Sequence, residues 1–377
     1  MPGKKIKVAL LFGGRSAEHE ISRVSALSIW RNLDPKKYEV IPIAIGKDGQ
    51  WRFQDARKLL ASAKDTLPVF DQATDLLINP KINGQTLVPA KPAVKISPKF
   101  DVVFPALHGP MGEDGTVQGL LELLDTAYVG CGVLASSVAM DKDVAFRLAA
   151  QAGLAVPAYH VLRRYEWNKF VRKADAAAAE FGRELGFPVF VKPARLGSSV
   201  GVSKIKTADA MGEACREAFR YDDKIIIEKG IDAREIECAV LGDHEDILVS
   251  APGEVIPKHE FYSYEAKYID PDGAQLKIPA QLTASEAASV REAAKTVFLA
   301  FEGEGMARVD FLLDKSSGVF YFGEINTIPG FTSISMYPKM MEASGVPYAR
   351  LLDRLIELAM KRKGRQSARL IDYQPKK

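Results

Sequence analysis

Residues 6–12 form an almost unbroken apolar run, IKVALLF, the pattern of a strand buried on both faces. Gly13 and Gly14 end it, and Ser16 to Leu33 follows with helical spacing at Ile21, Val24, Leu27 and Trp30, with Ser16 as the candidate N-cap. Residues 38–45 and 101–107 repeat the buried-strand texture. Strands alternating with helices predict a parallel, doubly wound sheet. Residues 46–97, with scattered Pro and Lys, read as an elaboration of it.

After a helix predicted over 136–152, which ends at Gly153, the texture changes to paired strands. Residues 155–162 begin a strand, 187–205 read as strand, Gly-Ser loop, strand, and 224–231 as another strand. Residues 234–250 read as a hairpin turning at Gly242 and Asp243. A helix over 285–301 precedes a second hairpin over 306–325, turning at 314–318. A helix over 345–363 comes last, and the tail 366–377 reads as mobile. Boundaries near 137 and 232 give an N-terminal α/β domain (1–137) and two α+β units (138–232 and 233–377).

Composition narrows the class more than the chemistry. At 377 residues, 47% apolar and 26% charged, the chain suits a soluble protein of two or three domains. A formal charge of +3 gives no reason to expect a nucleic-acid or membrane partner. Cys131, Cys215 and Cys238 are widely spaced with no CxxC or His/Cys cluster, so free buried thiols are expected and a zinc site is not. No apolar stretch reaches the ~20 residues of a membrane span, and the N-terminal run is too short for a signal peptide. A cytoplasmic location is expected.

The chemistry concentrates in a few segments. In FYFGEIN, Glu324 and Asn326 lie two apart on a strand and so share a face; in MARVDFLL, Arg308 and Asp310 do the same. A turn centred near Ser316 puts Asp310 opposite Phe322, one same-face step from Glu324. Two carboxylates and an amide suit Mg²⁺, although a salt-bridge ladder fits the spacing equally well. Lys192 precedes Gly197-Ser198-Ser199-Val200-Gly201, a loop of small residues that could receive phosphate; on that segment alone a plain hairpin turn is the better reading. Neither the P-loop order nor the dinucleotide pattern is present. Glu18 either serves the helix N-terminus or holds an ammonium. Residues 258–280, with Tyr262, Tyr264, Tyr268, Lys258 and Lys267, read as a lid. A satisfied loop histidine is the simple account of His108.

Seven stretches in register carry a resemblance: LFGGRSAEHEIS, LHGPMGEDGTVQG, MDKDVAFR, VKPARLGSSVGVSKI, EFYSYEAKY, ARVDF and EINTIPGFTSISMYP. From about residue 5 to 362 the chain resembles the D-alanine–D-alanine ligases of the ATP-grasp superfamily. The resemblance implies an ATP-grasp fold of two α+β units behind the N-terminal α/β domain. It implies ligation of two D-alanines through a D-alanyl phosphate, for peptidoglycan precursors. ATP and Mg²⁺ or Mn²⁺, two ions, would be the cofactors, and a homodimer the assembly. By the same resemblance Asp310, Glu324 and Asn326 are metal ligands. Lys142, Lys192, Glu228, Lys229, Ile231, Glu235 and Lys267 contact ATP. Glu18, with Ser198 and Tyr268, holds the first D-alanine, Arg308 and Gly330 form the oxyanion site, and Ser335, Met336 and His108 lie at the substrates.

Relatives that make D-alanyl-D-lactate usually carry a histidine in the lid, whereas Glu-Ala-Lys-Tyr stands here, which favours an amine acceptor. A D-alanine–D-lactate ligase and a non-catalytic nucleotide-binding regulator are the alternatives, and the intact residue set counts against the second. Gly230 and Phe331 depart from the family's usual bulkier residue and Met.

Overall fold

The computed structural model describes residues 4–69, 74–78, 87–90, 99–169, 174–257 and 274–370. Three sheets organise them. The first contains β1 (Ile6–Gly13), β2 (Tyr38–Ile45), β3 (Trp51–Phe53), β4 (Thr74–Ile78), β5 (Leu87–Pro89) and β6 (Val102–Pro105), in the order β5-β4-β3-β2-β1-β6. β1 pairs in parallel with β2 and β6, and it is buried on both faces: Val8, Leu10 and Phe12 enter one core, Ala9 and Leu11 another. Beyond β2 the pairing is antiparallel. The sheet is thus parallel over β2, β1 and β6, and the 46–97 elaboration extends the other side with three short antiparallel strands.

The helix after β1 runs from His19 to Asn32 with Glu18, not Ser16, at the N-cap and no side-chain capping bond. Ser16 Oγ instead donates to His108 O at 2.8 Å. The helix expected over 136–152 is two helices, Val133–Met140 and Lys142–Gln151, broken at Asp141, which is extended (φ −90°, ψ 101°). The Asp141 side chain caps the second helix by accepting from Val144 N, while Lys142 N donates to Ala194 O.

The second sheet is antiparallel, β7 (Tyr159–Arg163), β8 (Val189–Pro193), β9 (Ser203–Ile205) and β10 (Lys224–Lys229), in the order β7-β10-β8-β9. Val189, Val191, Ile225 and Ile227 bury one face against the helices Ala174–Leu185 and Met211–Ala218. The other face carries Lys192 and Glu228.

The third sheet comprises β11 (Ala233–Gly242), β12 (Ile247–Val249), β13 (Gly253–Pro257), β14 (Ala274–Lys277), β15 (Gly305–Asp314) and β16 (Phe320–Asn326). Its order is β14-β13-β11-β15-β16, with β12 on β11. Ile236, Cys238, Val309, Phe311 and Phe322 pack one face under the helix Ala284–Ala300. That helix starts in a full capping box of Thr283 and Glu286. The first two residues of the expected tail belong to the last helix, Tyr348–Ser367, which buries Leu351, Leu352 and Leu355 against the first sheet's core. Most of the expected lid, 258–273, lies outside the described residues, as does 371–377; the lid's far end is β14, paired to β13. All three cysteines are buried and free, and burial pushes the Cys131 thiol up to about 11. Among the described residues no helix is long and apolar enough to cross a membrane.

Candidate active site

Period-two alternation leaves one face of the third sheet apolar and gives the other to charge. Arg308 pairs directly with Asn326, and Asp310 with Glu324. The expected register, Asp310 opposite Phe322, is corrected by a bulge between Asp310 and Phe311, after which Phe311 faces Phe322. Gly323 is the extra residue, and a Cβ there would stand 3.1 Å from Asp310 O. The bulge brings Glu324 square onto Asp310.

These groups form one cluster. Arg308 Nε and Nη2 donate to Asp310 Oδ1 and Oδ2 at 2.8 and 2.6 Å, and Asn326 Nδ2 donates to Asp310 Oδ2 at 3.1 Å. Burial works against the charge on Arg308, yet Asp310, Glu237 and Glu324 outweigh it and raise its pKa well above the ordinary value. Lys142, in the first turn of its helix, donates to Leu196 O at 2.8 Å and lies 3.4 Å from Glu324 Oε2. One lysine therefore spans the Gly-Ser loop of the second sheet and the acidic face of the third. On the second sheet Lys192 Nζ meets Glu228 Oε2 at 2.9 Å. Lys229 ends β10 exposed, Ile231 lies just past it, and Glu235 shares a face with Glu237 on β11.

The loop after β8 is bent by Ser198 and Ser199, both with positive φ (53° and 57°), a conformation that costs a non-glycine residue on the order of 1 kcal/mol. That bend aims Ser198 Oγ across to the N-terminal domain, where it donates to Glu18 Oε1. Glu18 is buried, and because no cap uses its carboxylate, it is available to the loop. A Cβ at Gly109 would lie 2.5 Å from Glu18 Oε2, so glycine (φ 77°) is required there. Tyr268 and Lys267 lie outside the described residues.

His108 has both ring nitrogens engaged, Nε2 with Ser25 Oγ at 2.9 Å and Nδ1 with Ile328 O at 3.2 Å. Glu113, which no feature of the sequence singled out, stands 3.7 Å from Nδ1. Burial raises the Glu113 pKa, and Glu18 adds to it; burial opposes the His108 charge, but Glu113 outweighs that and raises the histidine. Ser25 Oγ also receives Phe331 N at 3.4 Å, which ties this cluster to the loop holding Gly330 and Ser335. There Thr332 N donates to Ser335 Oγ at 3.0 Å, and a Cβ on Gly330 would lie 2.7 Å from that oxygen. Met336 is buried at the start of the following helix. Phe331 packs edge-on against Phe104 and Tyr348, so this departure from the family's usual Met fills the seam between the first and third sheets. At Gly230 a Cβ would stand 2.7 Å from Pro188 O, leaving no room for a bulkier side chain in this backbone arrangement.

Glu237 is a second site residue absent from the sequence-based set. It sits across β11 from Asp310 and lies 3.2 Å from Arg308 Nε. The signal was present: Glu235 and Glu237, two apart in REIECAV, had to share a face.

Residues 7–131 match the model of the D-ala D-ala ligase N-terminus and residues 148–357 that of the D-ala D-ala ligase C-terminus. The chain is 54% identical over 361 residues to D-alanine–D-alanine ligase A of Bradyrhizobium diazoefficiens, covering 95% of this chain and 96% of the relative. It is 51% identical to the D-alanine–D-alanine ligase of Caldicellulosiruptor bescii, with 95% and 96% covered. Among solved structures, the D-alanine–D-alanine ligase of Coxiella burnetii superposes with a TM-score of 0.83 at 36% identity, 97% of each chain covered. The D-Ala:D-Ser ligase of Enterococcus faecalis superposes with 0.80 at 34%, covering 94% of this chain and 100% of that one. By the extent of both family matches and the identity to these relatives, the chain belongs to the D-alanine–D-alanine ligase family of ATP-grasp enzymes.

Proposed function

We propose that the protein joins two D-alanines into D-alanyl-D-alanine with ATP, through a D-alanyl phosphate. The observation that carries the site assignment is the paired row Arg308–Asn326 and Asp310–Glu324 with Lys142 beside it. Asp310, Glu324 and the Asn326 amide are hard oxygen donors on one face, a set that fits Mg²⁺ or Mn²⁺, and these residues would hold the ions. A bound divalent ion would neutralise phosphate charge during transfer.

The chain's own groups do the rest. Lys142 and Lys192 hold phosphate oxygens, joined by Lys267 of the lid, and Glu228, Lys229, Ile231 and Glu235 frame the nucleoside. Glu18, fixed by Ser198 and completed by Tyr268, receives the ammonium of the first D-alanine. The carboxylate oxygen of that D-alanine takes the γ-phosphoryl group as the bond to ADP breaks. The amine of the second D-alanine, its carboxylate at Ser335 and Met336, then forms the C–N bond. The C–O bond to phosphate breaks, phosphate leaves with the electron pair, and the amine gives up a proton. Arg308 and the Gly330 N–H face the oxygen that becomes negative, where one donor is worth about 3 kcal/mol. His108 orients this region through Ser25 and Ile328. Acyl phosphates react with water, so closure of the lid over the site is part of the proposal.

Release of ADP with D-alanine, D-serine and D-lactate compared in parallel tests the acceptor. D-alanine is expected to give the highest kcat/KM; a higher value with D-serine or D-lactate would replace the reading with the corresponding mixed ligase.

A further inference from the structure

We propose that Glu237 is a positioning residue that holds the Arg308 guanidinium in place for peptide-bond formation, an inference that rests on Arg308 serving the oxyanion. Glu237, Asp310 and Glu324 lie in one row across three neighbouring strands, because β11 pairs Glu237 with Asp310 and β16 pairs Glu324 with it. Arg308 lies one same-face step away; its Nε donates to Asp310 Oδ1 at 2.8 Å, and Glu237 Oε2 stands 3.2 Å from the same nitrogen as an ion pair.

The two carboxylates differ in their other duties. Asp310 also accepts from Asn326 and stands opposite Glu324, in the group that would hold the cation. A carboxylate drawn toward a divalent ion keeps less of its hold on a neighbouring guanidinium, because the ion competes for the same oxygens. Glu237 stands one strand farther from Glu324, outside that group. It is 9% exposed, on a strand with partners on both sides, and a carboxylate so buried needs a cation close by to remain charged. Arg308, 3.2 Å away, is such a cation. Glu237 therefore keeps Arg308 oriented while Asp310 serves the ion and its phosphates.

A role in positioning Arg308 would appear in the second half-reaction and leave the first largely intact. ADP and dipeptide are measured in the same reaction for the wild type and for the variants Glu237→Gln, Glu237→Asp and Arg308→Ala. Circular dichroism checks each fold, and Mn²⁺ binding is followed by electron paramagnetic resonance. Wild type is expected to release one ADP per dipeptide. Glu237→Gln is expected to lower dipeptide kcat roughly tenfold, the scale of one lost charged contact. Its ADP-to-dipeptide ratio should rise above one as acyl phosphate is lost to water, with KM for ATP and Mn²⁺ affinity within about twofold of wild type. Glu237→Asp, which keeps the charge, should recover part of the loss, and it carries the comparison if the Gln variant does not fold. A ratio of one at wild-type turnover in Glu237→Gln overturns the inference. So does a tenfold loss of Mn²⁺ affinity, which would make Glu237 a metal ligand. If Arg308→Ala itself keeps the ratio at one, the oxyanion reading fails first and takes the inference with it.

Discussion

The third sheet carries an arginine among carboxylates on each of its faces, and the two are built differently. On the helix-covered face Arg234 Nε and Nη2 donate to Glu254 Oε1 and Oε2, both at 2.8 Å, and Nη2 also reaches Gln281 O at 2.7 Å. One charge meets one charge in a two-pronged pair. On the other face Arg308 and Lys142 stand among Glu237, Asp310 and Glu324. Among the described residues two cations meet three anions, crowded where strand register forces them together. The first arrangement is electrically complete and serves the fold. The second gathers three carboxylates on one face, and such a cluster is what a divalent ion carrying phosphate can use.

The largest effect that would break this contrast is expected from Glu324→Ala. Its side chain is partly exposed and Lys142 lies 3.4 Å from it, so folding should be little affected. Loss of D-alanine-dependent ADP release by roughly 100-fold or more is expected, the scale of removing a fixed electrostatic group. Turnover near wild type, with circular dichroism unchanged, would reduce this face to another structural ladder. A smaller effect is expected from Lys142→Met, which removes a cation from the same cluster and leaves both sheets in place. KM for ATP should rise by roughly tenfold, the size of one charged hydrogen bond. A KM unchanged from wild type would move Lys142 out of the phosphate path.

How far the sequence carried depends on which physical rule governs each part. Strand alternation depends only on the backbone, so the shared faces of Arg308 with Asp310 and Glu324 with Asn326 were legible in the order of residues alone. Register was not, because a single added residue slips one strand past the other. Gly323 was the available sign, an isolated glycine inside a strand pattern. The break at Asp141 was likewise visible as a capping residue inside a helical run, yet apolar periodicity carried the helix through it. The strands of the elaboration are only three to five residues long, too short to show a two-faced apolar pattern, and they could not be separated from loop. Loop-borne groups were the least legible. Nothing in the spacing of Ser198 points it at Glu18, 180 residues earlier; positive φ at two successive serines does, and only the family resemblance anticipated the pair.

The smallest predicted effect tests the helix-covered face. Glu254→Gln keeps the shape and an acceptor oxygen but removes the charge that Arg234 grips, so the loss should be about 1–2 kcal/mol of folding stability at neutral pH. The Arg234 hydrogen bonds hold the Glu254 carboxyl below its ordinary value in the folded protein. In the unfolded chain it titrates near ~4.3. The pair therefore contributes fully above that pH and is lost as pH falls through the lower folded value. Denaturant melts of wild type and variant should differ at pH 7 and converge in acid. Ligase turnover, read at pH 7 in the folded protein, should stay within about twofold, because Glu254 and Asp310 face opposite sides of one sheet. A gap that persists unchanged into acid would mean that charge is not what the pair contributes. A tenfold loss of turnover would mean that the two faces are coupled through the strands, and that the neutral pair helps hold the charged cluster in register.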